Sequence, residues 1–317
     1  MSENNKSCIA KKTSIGGQAL IEGIMMRGPK ESAMVVRNPK GEIVLEKWDN
    51  VPTNKKPTFV DKMKKVPIVR GVFNFASAMA MGYKALMKSA EIAGFEDEEE
   101  KKESKGLMAV VGIVAAILGV LLSVGLFIFL PTFIYDLIAR IPGLSFLKGQ
   151  AFLKSLFEGI LKIVVLVGYM ALVSRMKDIK RTFQYHGAEH KTIFCYESGE
   201  ELTVENVRKQ GRFHPRCGTS FLIVMVIVGV FIGLLIPAGL PSLLRTAIKL
   251  LLLPLTMGLG YEFIKFAGKS DNKITRILSA PGLWMQRITV LEPDDSMIEC
   301  AIAAVNEVIP DDGSDLI

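Results

Sequence analysis

The chain has 317 residues, a formal net charge of +7, half of its residues hydrophobic and a mean hydropathy of +0.33. Length alone allows roughly two soluble domains, but long apolar runs place the chain with integral membrane proteins instead. The positive charge is shared among the segments between those runs, which fits contact with an anionic lipid bilayer and excludes a nucleic-acid stripe.

Four cysteines at irregular positions, two of them in a His-rich stretch, point to a reducing cytoplasmic setting rather than a disulfide framework. Residues 1–105 read as a cytoplasmic α+β segment. Met1 to Ala33 is mixed polar with no continuous apolar core, so no secretory signal is expected. Ile15 to Gly23 reads as a Gly-flanked loop whose spacing fits neither a dinucleotide nor a Walker loop, so its glycines are expected to serve tight turns. Glu22 within it is a minor site candidate. Ala33–Arg37 and Glu42–Trp48 are β-rich runs joined by Asn38-Pro39-Lys40-Gly41, which predicts a hairpin through a type I turn. Ile68 to Ala93 has helical spacing of small and apolar residues. It either lies along the membrane surface, with Lys84 and Lys88 toward headgroups, or packs on the hairpin. Glu96 to Lys102 reads as a solvated linker.

Residues 106–268 read as a membrane domain of four spans. Leu107–Leu130 carries no charge and is long enough to cross a bilayer. Pro131 to Gln150 is expected to be a short connection. The second span, Phe152 to Ser174, carries Lys154, Glu158 and Lys162 along one face. A charge at the bilayer centre costs about 2.5–3.5 kcal/mol on insertion scales. These three either pair with one another near the interface or form a polar lining inside the bundle. The third span runs from Thr219-Ser220 to about Pro237, and the fourth from about Leu243 to Ala267. The loop from Arg175 to Cys217 carries nine Lys or Arg, against two between Pro131 and Ala151 and none from Ala238 to Ser242. Both termini and that loop are therefore expected on the cytoplasmic side of the cell membrane.

The cytoplasmic insertion, 175–217, holds all three histidines of the chain. Its first half reads His186-Gly187-Ala188-Glu189-His190, an H-x-x-E-H pattern. On a helix, residues four apart share a face, so both imidazoles can reach one ion with Glu189 beside them. The second half, His214-Pro215-Arg216-Cys217-Gly218, cannot continue a helix and favours a turn presenting an imidazole and a thiolate. Between them, Thr203 caps a short helix that Gly211 ends, so a helical hairpin can bring the halves together. Such nitrogen and sulfur donors suit a divalent ion, zinc foremost. His186, His190, His214 and Cys217 are the candidate ligands, and Glu189 is the candidate catalytic base. Glu262, delivered to the cytoplasmic boundary by the fourth span, is the candidate extra carboxylate. The competing readings are cap or surface histidines with Cys217 as a small buried hydrophobe, and Glu262 paired with Lys265 or Arg175.

Residues 269–317 read as a cytoplasmic tail. A turn at Pro281-Gly282-Leu283-Trp284 places Trp284 as an interface anchor, and Arg287 to Leu291 is expected to be β-like. Asp294-Asp295-Ser296 caps an amphipathic helix to about Val308, which is expected to pack on the hairpin. The expected fold is thus mainly α and integral to the membrane. It comprises a four-helix transmembrane bundle, a cytoplasmic His/Cys helical hairpin and a small α+β domain built from both termini.

Four stretches carry a resemblance to a known family: GGQALIEGIMMRGP at Gly16–Pro29, FQYHGAEHKTIFCYESG at Phe183–Gly199, HPRCGTSF at His214–Phe221 and PGLWMQRIT at Pro281–Thr289. The chain resembles the YqhQ-like family of bacterial multi-pass membrane proteins, a domain-of-unknown-function family described as predicted metal-dependent enzymes. The resemblance implies a membrane location and a metal, but no substrate. Two functions follow as expectations. One is a metal-dependent hydrolase acting on a lipid, peptide or small polar metabolite at the inner leaflet or cytoplasmic face. The other is a non-enzymatic protein, a partner-binding scaffold or transport component with a structural ion, for which a homo-oligomer stays open.

Overall fold

Along β2 (Gly23–Arg27) and β3 (Glu31–Arg37) successive side chains point to opposite faces, and both faces are apolar. Ile24, Met26, Ala33 and Val35 enter one core, whereas Met25, Met34 and Val36 enter another with Leu20 and Ala85. Such strands need cover on both sides, and that requirement organises the polar part of the molecule. The structure, a computed structural model, describes residues 12–50, 59–95, 105–214, 217–269 and 273–316. The expected acidic linker therefore lies outside the described residues, as do Pro215 and Arg216.

The sheet is an antiparallel meander in the order β1-β2-β3-β4, with β1 at Gly16–Leu20 and β4 at Ile43–Asp49. The expected hairpin is β3–β4, closed by the Gly41 amide donating to the Asn38 carbonyl at 2.9 Å, with Gly41 at φ +85. The expected Gly-flanked loop is instead the β1–β2 hairpin, in which Leu20 pairs with Gly23 and Glu22 takes φ 49 in the turn. Gly16, Gly17 and Gln18 show no apolar alternation, so the pairing is set by the backbone and by what packs on it.

After α1 (Phe59–Met63), α2 (Val69–Ile92) covers the second face of the sheet and also packs on the membrane-type helices. α3 (Lys105–Val124) passes through a π turn at Gly125–Phe129 into α4 (Leu130–Ile138). The expected connection at Pro131 is thus helical. The Leu130 amide bonds back to the Gly125 carbonyl, and this wider turn accommodates a proline that has no amide to donate. α5 (Ala151–Val173) follows, and α6 (Lys177–Glu197) leads into the short α7 (Val204–Lys209). α8 (Gly218–Leu234) is apolar, and α9 (Ser242–Leu251) and α10 (Leu253–Lys269) meet at a 51° bend. The fourth expected span is therefore broken, at the point where Pro254 withholds an amide. α11 (Lys273–Thr289) and α12 (Asp295–Asn306) complete the chain.

The tail corrects a further expectation. Pro281 lies inside α11, where a turn followed by a β-like run was expected, because packing on α8 and α5 overrides the local breaker. Trp284 on that helix is exposed. α12 begins where expected, with the Asp294 carboxylate accepting from the Met297 amide at 3.0 Å, and it covers the first face of the sheet together with α6.

Among the described residues two helices are long and apolar enough to cross a membrane, Val110–Ile138 and Ala151–Val173, or three if the bent pair α9–α10 is one span. The first exposes Val110, Ile117, Leu118 and Leu121 to its surroundings, as befits a helix solvated by lipid rather than water. The chain is thus mainly helical, with a small antiparallel sheet, and is consistent with a membrane protein.

Candidate metal centre

Each residue of H-x-x-E-H has its own reason to be there. All five sit on α6, which wedges between the sheet, α12 and the end of α11. Ala188 enters the apolar core. Gly187 leaves room for the Leu291 carbonyl, which would lie 1.9 Å from a Cβ at that position. His186 and His190, one turn apart, face the loop before α8, and their rings meet edge to face at 4.5 Å.

Backbone carbonyls fix both imidazoles. His186 Nδ1 lies 2.9 Å from the Thr289 carbonyl at the end of α11, and His190 Nδ1 lies 2.6 Å from the Arg212 carbonyl. A carbonyl only accepts, so each Nδ1 carries the proton and each Nε2 keeps its lone pair in the neutral ring. Burial pushes the His190 imidazole below its ordinary range, opposed by Cys217 and the Arg212 carbonyl, so the ring stays neutral near pH 7. His186 Nε2 lies 3.2 Å from Cys217 Sγ. One ligand atom each from His186, His190 and Cys217 falls within 4.8 Å of the others. Neighbouring ligands around tetrahedral zinc stand about 3.5 Å apart for nitrogen and sulfur donors. Two imidazole nitrogens and a thiol sulfur make a donor set whose chemistry fits zinc.

Glu189 points from the same helix toward the sheet, with only 6% of its surface exposed. Its Oε1 accepts from the Gly17 amide at 3.0 Å. Burial pushes its carboxyl above the ordinary carboxylate range, while His186 and the Gly17 amide pull it back.

His214 stands beside this group. Its Nε2 lies 3.6 Å from a Glu197 carboxylate oxygen, and its ring packs on Phe194 at 4.6 Å and on His190 at 5.7 Å. Its backbone is clamped by the buried Gln286 side chain, which accepts from the His214 amide at 2.8 Å and donates to its carbonyl at 2.7 Å. Glu262 is held elsewhere. Its carboxylate takes both sides of the Arg70 guanidinium, at 2.6 Å on one oxygen, and accepts from the Ile68 amide at 3.1 Å. This corrects its expected place near the ion, for Arg70 is a partner remote in sequence on α2. Glu22 is likewise committed, to Arg181 at 2.5 Å and the Tyr185 hydroxyl at 3.4 Å.

Gly17, Arg212, Gln286 and Thr289 are the supports that sequence reasoning missed. Three of the four act through backbone groups, which leave no signature in residue type. Gly17, Gln286 and Thr289 do lie in two of the stretches that carry the family resemblance.

Residues 66–311 match the family described as "Protein of unknown function (DUF1385)". The chain is 37% identical over 302 residues to "Uncharacterized protein YqhQ" of Bacillus subtilis (strain 168), covering 93% of this chain and 92% of that protein. No solved structure matches.

Proposed function

The chain belongs to the DUF1385 family of proteins of unknown function, and from its own geometry we propose that it is a membrane-bound, metal-dependent hydrolase working at the cytoplasmic face. The observation that carries this reading is the pair of carbonyl-oriented imidazoles, whose Nε2 atoms turn toward the Cys217 sulfur to form a three-donor group. His186, His190 and Cys217 would hold the ion, zinc by donor type. Bound there, zinc supplies Lewis acidity and an acidified water. Glu189, with its carboxyl raised above the ordinary carboxylate range by burial, is assigned the role of general base. The Gly17 amide orients that carboxyl, and the Thr289 and Arg212 carbonyls hold the ligand tautomers.

The topology in this reading has four spans, counting α3–α4, α5, α8 and the bent α9–α10. The Lys- and Arg-rich 175–217 segment and both termini lie inside. The sheet with α6, α7 and α12 then forms a cytoplasmic layer whose metal faces the inner leaflet. The test compares zinc-loaded full-length protein with Glu189→Gln on a panel of chromogenic carboxylic and phosphoric esters. Turnover that falls at least a hundredfold in Glu189→Gln, with zinc retained, is expected. Equal turnover in both proteins contradicts the assigned role.

A second reading has the ion as a staple, and it is favoured by the origin of the ligands. Two come from α6 in the polar layer and one from the threshold of α8. Under it, Glu189→Gln changes nothing chemical, whereas removing the ion lowers stability sharply.

A further inference from the structure

Inside the bundle, charge is answered by charge. Lys154 donates to Asp136 on α4 at 2.5 Å, and Glu158 receives Arg245 at 3.2 Å and Lys249 at 2.6 Å, both from α9. Lys154 and Glu158 are thus taken by other helices, where pairing along α5 was one expectation. Outward-facing charge gathers instead at the elbow between α1 and α2, residues 59–70, which read FVDKMKKVPIVR. Three lysines stand there against one acid, Asp61, and Arg70 is spent on Glu262. In the same stretch Phe59 and Val66 expose 69% and 40% of their surfaces, and Lys62 and Lys65 are exposed.

The elbow has a fixed shape. The Lys65 amide donates to the Lys62 carbonyl and the Val66 amide to the Met63 carbonyl, both at 3.1 Å, and the Val69 amide closes a three-residue turn on the Pro67 carbonyl at 2.8 Å. Ile68, the middle residue of that turn, takes φ 68 and ψ −56. A β-branched side chain occupies this strained region only where its neighbours dictate it. Those neighbours lie on α10. Glu262 accepts from the Ile68 amide at 3.1 Å, and a Cβ on Gly258 would lie 2.4 Å from Ile68 Cγ2 and 2.5 Å from its carbonyl oxygen. One turn further along α2, a Cβ on Gly71 would lie 2.7 Å from Tyr261 Cβ, so the two backbones run in contact.

An exposed phenylalanine and valine interleaved with lysines make a poor surface for water and a good one for a bilayer interface. There the apolar side chains enter the acyl boundary while the ammonium groups reach lipid phosphates. Position agrees with chemistry. In the four-span reading α10 runs inward, and Glu262 and Lys265 mark its cytoplasmic end, so the elbow is fastened where hydrocarbon gives way to headgroups. We propose that the α1–α2 elbow docks on anionic lipid, with Phe59 and Val66 inserted and Lys62, Lys64 and Lys65 on the headgroups. Each lysine near an anionic surface strengthens such docking about fivefold. This rests on the membrane reading above but not on the metal.

The experiment is hydroxyl-radical footprinting of full-length protein in nanodiscs of phosphatidylcholine alone, in nanodiscs of phosphatidylcholine with phosphatidylglycerol, and in detergent at two protein concentrations. Labelling of Phe59 and Val66 is expected to fall at least fivefold when phosphatidylglycerol is present. The combined variant Lys62→Gln, Lys64→Gln, Lys65→Gln is expected to lose that difference. Equal labelling of the native elbow in the two bilayers overturns the proposal, a result that needs no variant to fold. Shielding that appears in detergent and grows with protein concentration assigns the surface to a second copy and overturns it too. Leu118 and Leu121 on α3 report the membrane reading separately. Both are expected to stay unlabelled in either bilayer, and labelling there overturns that reading and the elbow's docking with it.

Discussion

Two glycines show how tightly the candidate centre is packed. A Cβ on Gly17 would lie 2.6 Å from Met26 Sδ, 2.8 Å from the Met25 carbonyl and 3.0 Å from the Glu189 carboxyl carbon. Gly17→Ala is expected to cost about 1–3 kcal/mol through overpacking. A lower thermal midpoint in the purified variant checks this, and an unchanged midpoint contradicts it. At Gly187 the obstacle is the Leu291 backbone, which has no rotamer with which to yield, so Gly187→Ala is expected to lower the midpoint further than Gly17→Ala. The histidine pair was legible in the sequence because four-residue spacing on a helix is a local property. Glu262 was misjudged because its depth along a helix can be read locally, whereas its partner cannot. The Arg70 that holds it comes from an element far away in the chain.

At the scale of elements, the joint between α11 and the turn before α8 decides whether the ligands stay together. Gln286 satisfies both backbone groups of His214, three residues before Cys217. Gln286→Ala strands the buried His214 amide, whereas the His214 carbonyl keeps the Cys217 amide at 3.3 Å, so the expected cost is about 1–3 kcal/mol for the one unsatisfied group. The measurement is denaturant unfolding monitored in detergent, and a midpoint equal to that of the native chain contradicts the assignment. The N-cap at Asp294 supplies a milder control, with Asp294→Ala expected to cost about 1 kcal/mol. That cap was readable because it depends on one residue and the amide three positions on. α11 and β1 were not readable. Pro281 and the paired glycines at 16–17 carry breaker signals that tertiary packing overrides.

For the whole molecule, the helices long and apolar enough to cross a membrane were readable from composition, whereas the bend between α9 and α10 and the helical passage through Pro131 depended on how the helices meet. The proposed topology puts the α8–α9 turn outside and the C-terminal tail inside. A cysteine introduced at Gly239, where a Cβ meets nothing within 4 Å, should react with a membrane-impermeant maleimide in intact cells. One at the exposed Asp312 should react only after permeabilisation. The reverse pattern contradicts the orientation. The metal remains the central claim, and the most direct measurement is the metal content of the purified full-length protein beside His190→Ala and Glu189→Gln. Near-stoichiometric metal in the native chain and in Glu189→Gln, with loss in His190→Ala, is the predicted result. A native protein that stays metal-free after zinc supplementation would contradict it.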